Sequence, residues 1–420
     1  MIKITQSADY DSTTIPVDTF WNVGDETEQK MHRIHAYPAK FPAFITTKAL
    51  KYAREQGVNV RLVADIFCGC GTVAYEARRN AIPFWGCDVN PVATLIARAK
   101  SRSYDTGRLL VYLEDIEKRF KHSPHDANYR VADERIRYWF DARTFRDLSR
   151  LHAAIQDVVP PGSKYRVFFL VAFSNILKSC SRWLTKSIKP QVDPNKMPAK
   201  AIEAFVKQCH FAILANDESD VARRSSVNIE TADFLSSRLF RPRVDLIITS
   251  PPYVTSYEYA DLHQLSVLWL ISGCDYRKLR AGSVGSHHRS VAFDFDRNCL
   301  NKHGRAIVNE LKSVDKAKAR SVAKYFIDIQ DAAKQSHRML KQRGLALFVI
   351  GNTKYSGVLI DNARHLSSAL YDAGFATVKI AKRKISKKIL TPYRDKRGRF
   401  TTDGSGRKVY SEEFIVVGQR

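Results

Sequence analysis

Val60-Arg61-Leu62-Val63-Ala64-Asp65-Ile66-Phe67-Cys68-Gly69-Cys70-Gly71-Thr72 decides the fold of this chain. Residues 60–67 read as a buried strand that runs straight into a glycine-rich turn. A helix from about Val73 to Asn80 follows, then a second strand from Ile82 to Cys87 that ends at Asp88. That succession is a βαβ unit, the building block of a doubly wound α/β sheet. Gly69 and Gly71 let the backbone pass close to a ligand, at a helix N-terminus with free N–H groups. Asp88, at the tip of the second strand, is placed to accept from both hydroxyls of a ribose. A nicotinamide or flavin loop reads G-x-G-x-x-G; here the third position is Ala74, a permitted variant, so a dinucleotide stays open at this point.

Further along, Val244-Asp245-Leu246-Ile247-Ile248 reads as another buried strand and runs into Thr249-Ser250-Pro251-Pro252-Tyr253. The paired prolines lack donors and fix φ, so the strand stops and the chain leaves the sheet in a stiff loop. A rigid turn holding a polar acceptor beside an aromatic face suits one task well. It grips a planar, amino-bearing ring by stacking and by hydrogen bonds to its NH2. A proline-terminated strand with a core-packed tyrosine would give the same five residues. Other core strands are expected at Ser226–Glu230, followed by Asp233-Phe234, and at 344–352, 376–380 and 413–417, with helices at 321–340 and 361–373.

The chain of 420 residues has 68 Lys+Arg against 43 Asp+Glu, a formal charge of +25. That surplus favours a polyanionic partner, nucleic acid before membrane, since no amphipathic lysine-rich helix or lipidation signal stands out. No secretory pattern and no span-length apolar run is present, so a cytoplasmic protein of the prokaryotic cytosol or nucleoid is expected. The seven cysteines are odd in number and scattered, and read as reduced thiols. No metal is expected, because neither Cys68-x-Cys70 nor His287-His288 has ligand spacing around it.

Four segments follow from these signals. Residues 1–30 form a polar, loosely held arm, and 31–103 the cofactor-binding half of the core. Residues 104–225 are an inserted basic helical region, too long for a simple crossover. Helices are expected there at 140–158, 166–184 and 199–215. Lys178, Arg182, Lys186, Lys189 and Lys196 suit a surface lying along nucleic acid, with a solvated helical cap as the alternative. Residues 226–420 form the catalytic half, and their basic C-terminal hairpin, Lys382 to Lys408, is expected to contact phosphates.

Taken together, three motifs resemble those of the amino-methylating DNA methyltransferases. Asp65-x-Phe67-x-Gly69-x-Gly71 is similar to the S-adenosylmethionine loop of class I methyltransferases. Thr249-Ser250-Pro251-Pro252-Tyr253 is similar to the family's catalytic motif, which is Ser, Asp or Asn followed by Pro-Pro and an aromatic residue, placed after strand four. His35-Ala36-Tyr37-Pro38-Ala39-Lys40-Phe41-Pro42 is similar to the segment that closes over the methionine end of the cofactor. The resemblance implies a class I methyltransferase Rossmann-like doubly wound sheet with an inserted helical subdomain, and S-adenosyl-L-methionine as cofactor. It places Tyr37, Lys40, Phe41, Pro42, Asp65, Phe67, Gly69, Gly71, Thr72, Asp88, Asn90, Asp233 and Phe234 at the cofactor, the last two at its adenine. Ser250, Pro251, Pro252 and Tyr253 become catalytic, acting on a base flipped out of double-stranded DNA. Serine at the first position is commoner in the cytosine-N4 enzymes, which puts cytosine N4 ahead of adenine N6. The resemblance further implies a restriction-modification or related system, with a cognate restriction endonuclease as an optional partner. Target recognition is expected from 104–225 acting with 272–320. RNA base methylation, a catalytically silent DNA-binding protein and a nicotinamide dehydrogenase rank lower.

Overall fold

The computed structural model describes residues 1–4, 10–38, 40–122, 127–219, 225–236, 238–254, 259–271, 275–282, 284, 299–385, 393–394, 400–401, 407–408 and 411–420. Its main sheet has eight strands: β1 (Ile2–Ile4), β2 (Val63–Asp65), β3 (Phe84–Asp88), β4 (Val227–Thr231), β5 (Val244–Thr249), β6 (Leu340–Ile350), β7 (Thr377–Lys384) and β8 (Glu412–Gln419). Their order is β1-β7-β8-β6-β5-β2-β3-β4. Strands β4, β3, β2, β5 and β6 are parallel neighbours, while β8 runs antiparallel between β6 and β7. This is the doubly wound, Rossmann-like sheet of the class I methyltransferase type that the sequence led us to expect. Chain progression reverses between β2 and β5, so the topological switch point lies between those two strands.

The helices are α1 (Ala43–Glu55), α2 (Thr72–Arg79), α3 (Pro91–Lys100), α4 (Thr106–Lys121), α5 (Glu134–Trp139), α6 (Ala142–Val158), α7 (Lys164–Cys180), α8 (Ala201–Asp217), α9 (Tyr259–Leu262), α10 (Gln264–Leu270), α11 (Lys302–Val314), α12 (Lys316–Met339) and α13 (Asn362–Asp372). Period-2 alternation sorts the strand residues between two layers. Leu345, Leu347 and Val349 of β6 join the core beneath α1 and α2. Ala346, Phe348 and Ile350 join the opposite core beneath α11, α12 and α13. A third core, built from α3, α4, α6, α7, α8 and α10, takes in Phe169, Phe173, Phe205 and Trp139. The inserted segment is therefore a packed helical body resting on α3. No helix among the described residues is long and apolar enough to cross a membrane.

Two expectations change. The N-terminal arm is held firmly: Ile2–Ile4 pairs antiparallel with Val378–Ile380 at the sheet edge, and the Met1 amino group meets Asp18 at 2.9 Å. Trp21 is fully buried, edge-on to Phe20 and beside Tyr52. Helical and strand periodicity is absent here because the contacts are made by single residues along an irregular path. In the insertion, three of the five cations expected at nucleic acid satisfy backbone carbonyls instead. Lys178 donates to Thr185 O and Ser187 O, Lys196 to Lys178 O and Trp183 O, and Arg182 to Arg137 O and Tyr138 O. Lys178 and Lys196 thus serve as donors to carbonyls at the end of α7 and in the turn after it, and Arg182 to carbonyls at the end of α5. Lys186 and Lys189 are exposed.

Truncating a fully buried tryptophan leaves a large cavity. Trp21→Ala is expected to lower unfolding free energy by about 3–5 kcal/mol in urea titrations. A loss under about 1 kcal/mol would mean that residues 10–30 are only loosely attached.

Candidate active site

The carboxyl ends of β2 and β5 flank the switch point, where open α/β sheets hold their ligands. There Thr249 Oγ1 donates to Asp65 Oδ1 at 2.7 Å, and Phe67 N donates to the same oxygen at 3.1 Å. Both side chains are buried. Burial pushes the Asp65 carboxyl up to about 7; these two hydrogen bonds pull against it, and nearby Asp88 adds to it. The Thr249–Asp65 bond thus ties the strand that feeds the proline loop to the strand that feeds the glycine loop.

Gly69 and Gly71 have φ of +46° and +75°, a region that glycine enters without steric cost. At Gly71 a Cβ would also lie 2.6 Å from Ala97 Cβ, so that glycine is required by the approach of α3 as well as by the turn. Gly69 N donates to Asp88 Oδ2 and Asn90 N donates to Asp88 Oδ1, each at 2.9 Å. One N–H per oxygen leaves further lone pairs on Asp88 for a diol. Burial raises its carboxyl while those two N–H groups lower it. Thr72 opens α2, and its Oγ1 is buried with no partner among the described residues. Tyr37 lies over the loop, its hydroxyl 3.5 Å from where a Gly69 Cβ would sit.

The remaining expected cofactor residues make other contacts. Lys40 donates to Glu28 at 2.7 Å and to His32 O at 3.1 Å, Phe41 packs beside the α1–α2 layer, and Pro42 caps α1. Phe234 is a core residue, edge-on to Phe67 at 6.3 Å between ring centres, with the Arg241 guanidinium 5.1 Å from its own ring centre. Asp233 Oδ1 accepts from Leu235 N.

In the proline loop, Ser250 Oγ donates to Val349 O at 2.9 Å. The Ser250 hydroxyl also hydrogen-bonds the Tyr253 phenol, so it is held between the backbone of β6 and the tyrosine. Tyr253 OH donates to Glu413 Oε1 at 2.9 Å, while Glu413 Oε2 accepts from Arg383 Nε at 3.0 Å and from its terminal nitrogen at 2.5 Å. Burial, reinforced by Glu413, holds the Tyr253 phenol well above its ordinary value. The tyrosine ring also rests on Gly351, where a Cβ would lie 3.0 Å from Cε2. Glu413 and Arg383 are direct partners across β8 and β7. They are functional candidates that the sequence reading missed. Arg383 and Lys382 belong to the tract expected to contact phosphates. Both are buried, and Lys382 faces Glu412 at 3.6 Å and Thr13 O at 2.7 Å. Most of that tract, like His287 and His288, lies outside the described residues.

His263 was missed too. It sits between α9 and α10, 3% exposed, with its ring 4.9 Å from that of Tyr37 and its Nδ1 2.8 Å from Asn90 Nδ2. An isolated polar pair, His263-Gln264, inside an apolar helical stretch was the available signal.

No family model matches the chain. It is similar to the type II methyltransferase M.MvaI of Kocuria varians, with 22% identity over 354 residues, or 78% of each chain. Among solved structures, the rRNA methyltransferase AviRa of Streptomyces viridochromogenes aligns over 99% of this chain and 95% of its own, at 11% identity and a TM-score of 0.28. An S-adenosylmethionine-dependent methyltransferase of Clostridium acetobutylicum aligns over 89% of both chains, at 8% identity and a TM-score of 0.27. Scores that low add nothing to the strand order, which rests on this chain's own hydrogen bonding.

Two outcomes follow from the site. Asp65 titrates above the usual carboxylate range in the folded protein, so folding binds its proton. The associated stability is present below about pH 4 and is lost as pH rises towards about 7. Asp65→Asn should therefore give a flatter dependence of urea midpoint on pH across that window than the wild type. Glu413→Ala would leave buried Arg383 without its carboxylate, and is expected to cost about 3–5 kcal/mol by the same measurement.

Proposed function

We propose that this chain is an S-adenosyl-L-methionine-dependent DNA methyltransferase acting on the exocyclic N4 of cytosine. The observation that carries the reading is the Thr249–Asp65 hydrogen bond, because it brings the two loops into one crevice at the switch point. Similarity to a type II methyltransferase supports it. The residues fit the cofactor's poles: Asp88 keeps acceptor capacity for a ribose diol, and Thr72 holds an unspent hydroxyl at the start of α2. When bound, the cofactor supplies an electrophilic methyl group.

This chain's own part is positioning. An exocyclic amine is a poor nucleophile because its lone pair is conjugated into the ring. Ser250 Oγ, already donating to Val349 O, accepts one N–H of that amine, and the Pro251 carbonyl accepts the other. Two acceptors favour a pyramidal nitrogen whose lone pair is free, and catalysis is then orientation and electrostatics. Tyr253, fixed at its hydroxyl by Glu413 and backed by Gly351, offers an immobile face on which the base stacks. A base within a duplex reaches such a loop only after flipping.

Serine at the first motif position, commoner among the cytosine-N4 enzymes that the motif resembles, puts cytosine N4 ahead of adenine N6. The +25 charge holds the DNA backbone, and residues 104–225 acting with 272–320 read the target. The setting is a restriction-modification or related system in the prokaryotic cytosol or nucleoid, where a cognate endonuclease is an optional companion.

Plasmid DNA incubated with the protein and S-adenosylmethionine should yield N4-methylcytosine on nucleoside mass spectrometry. Ser250→Ala should reduce the rate by about 10²–10³-fold. N6-methyladenine in its place would overturn the choice of base. Methylated RNA with unmodified DNA would overturn the choice of substrate.

A further inference from the structure

His263 has a defined tautomer. Asn90 Oδ1 accepts from Val92 N at 3.0 Å and from Ala93 N at 3.4 Å, capping α3. The atom of Asn90 that faces His263 at 2.8 Å is therefore the amide nitrogen, a donor, so His263 Nδ1 is an acceptor and its proton is on Nε2. Burial keeps the ring neutral, its pKa pushed down to about 4. The Nε2–H is itself buried and finds no acceptor among the described residues. A buried donor left unpaired is destabilising, and such groups commonly mark the place of a ligand.

The donor lies in the cofactor crevice by three contacts. Its ring lies against Tyr37, Tyr37 lies over Gly69, and Asn90, which fixes the ring, also donates its backbone N–H to Asp88. The crevice thus has two kinds of polar group. Asp65 and Asp88 are acceptors suited to hydroxyl donors. Thr72 Oγ1 and His263 Nε2 are buried hydrogen-bonding groups without partners among the described residues, and the histidine can only donate. The strongest acceptor that S-adenosylmethionine presents is the carboxylate of its methionyl end.

We propose that His263 is a cofactor-binding residue whose Nε2–H donates to that carboxylate. The inference rests on the S-adenosylmethionine reading and extends it. A neutral donor suits this position, since an imidazolium would repel the nearby sulfonium. Because His263 follows the proline loop by ten residues, the contact also joins cofactor occupancy to the catalytic segment.

Calorimetric titration tests it with two ligands, S-adenosylhomocysteine and 5′-methylthioadenosine, which lacks the amino-acid end. His263→Phe is expected to weaken the first about tenfold and leave the second unchanged, and His263→Gln to restore much of the loss. Equal weakening of both ligands, or of neither, overturns the proposal. If the wild type binds neither ligand, the S-adenosylmethionine reading itself falls. Should His263→Phe fail to fold, ¹⁵N-histidine spectra of the wild type decide. The proposal requires the Nε2–H tautomer and a shift of that nitrogen with S-adenosylhomocysteine but not with 5′-methylthioadenosine; the opposite tautomer, or equal shifts, overturns it.

Discussion

A buried hydrogen bond from Thr249 to Asp65 organises this molecule. Two strands far apart in sequence become neighbours where chain progression reverses, and each ends in a loop that leaves the sheet on the same side. Had the register of either strand slipped by one residue, its terminal polar group would have pointed to the other face. The crevice between the loops then follows from sheet topology, and the bond fixes how the two loops face each other.

From that point a polar relay spreads outward. Gly69 N holds Asp88, Asp88 holds Asn90 N, and Asn90 holds both the start of α3 and His263. On the other side, Ser250 is tied to β6, and Tyr253 is tied through Glu413 to Arg383. Each group is buried or half-buried, so each unmade bond would carry a desolvation cost. The site is stiff for that reason, and the stiffness supports a chemistry of positioning.

Charge is distributed less simply than composition suggests. Lys178, Arg182, Lys196, Lys382 and Arg383 are drawn into carbonyl and carboxylate contacts. These five cations are therefore structural, while Lys186 is exposed.

The sequence by itself determined the βαβ unit, the glycine turn, Asp88 at a strand tip and the proline stop at Ser250. Those features follow from local rules: apolar runs of strand length, glycine's access to positive φ, and proline's missing donor. Only the tertiary structure decided the partners. Nothing local to Ile2–Ile4 or Trp21 shows that they anchor an edge, and nothing local to Arg383 shows that it meets Glu413 rather than a phosphate. The sequence could flag His263 as a polar residue in an apolar stretch but not its tautomer, which is set by Asn90, 173 positions away. Periodicity reports which face of an element is buried. Which polar groups converge there depends on long-range packing, and only the fold supplies it.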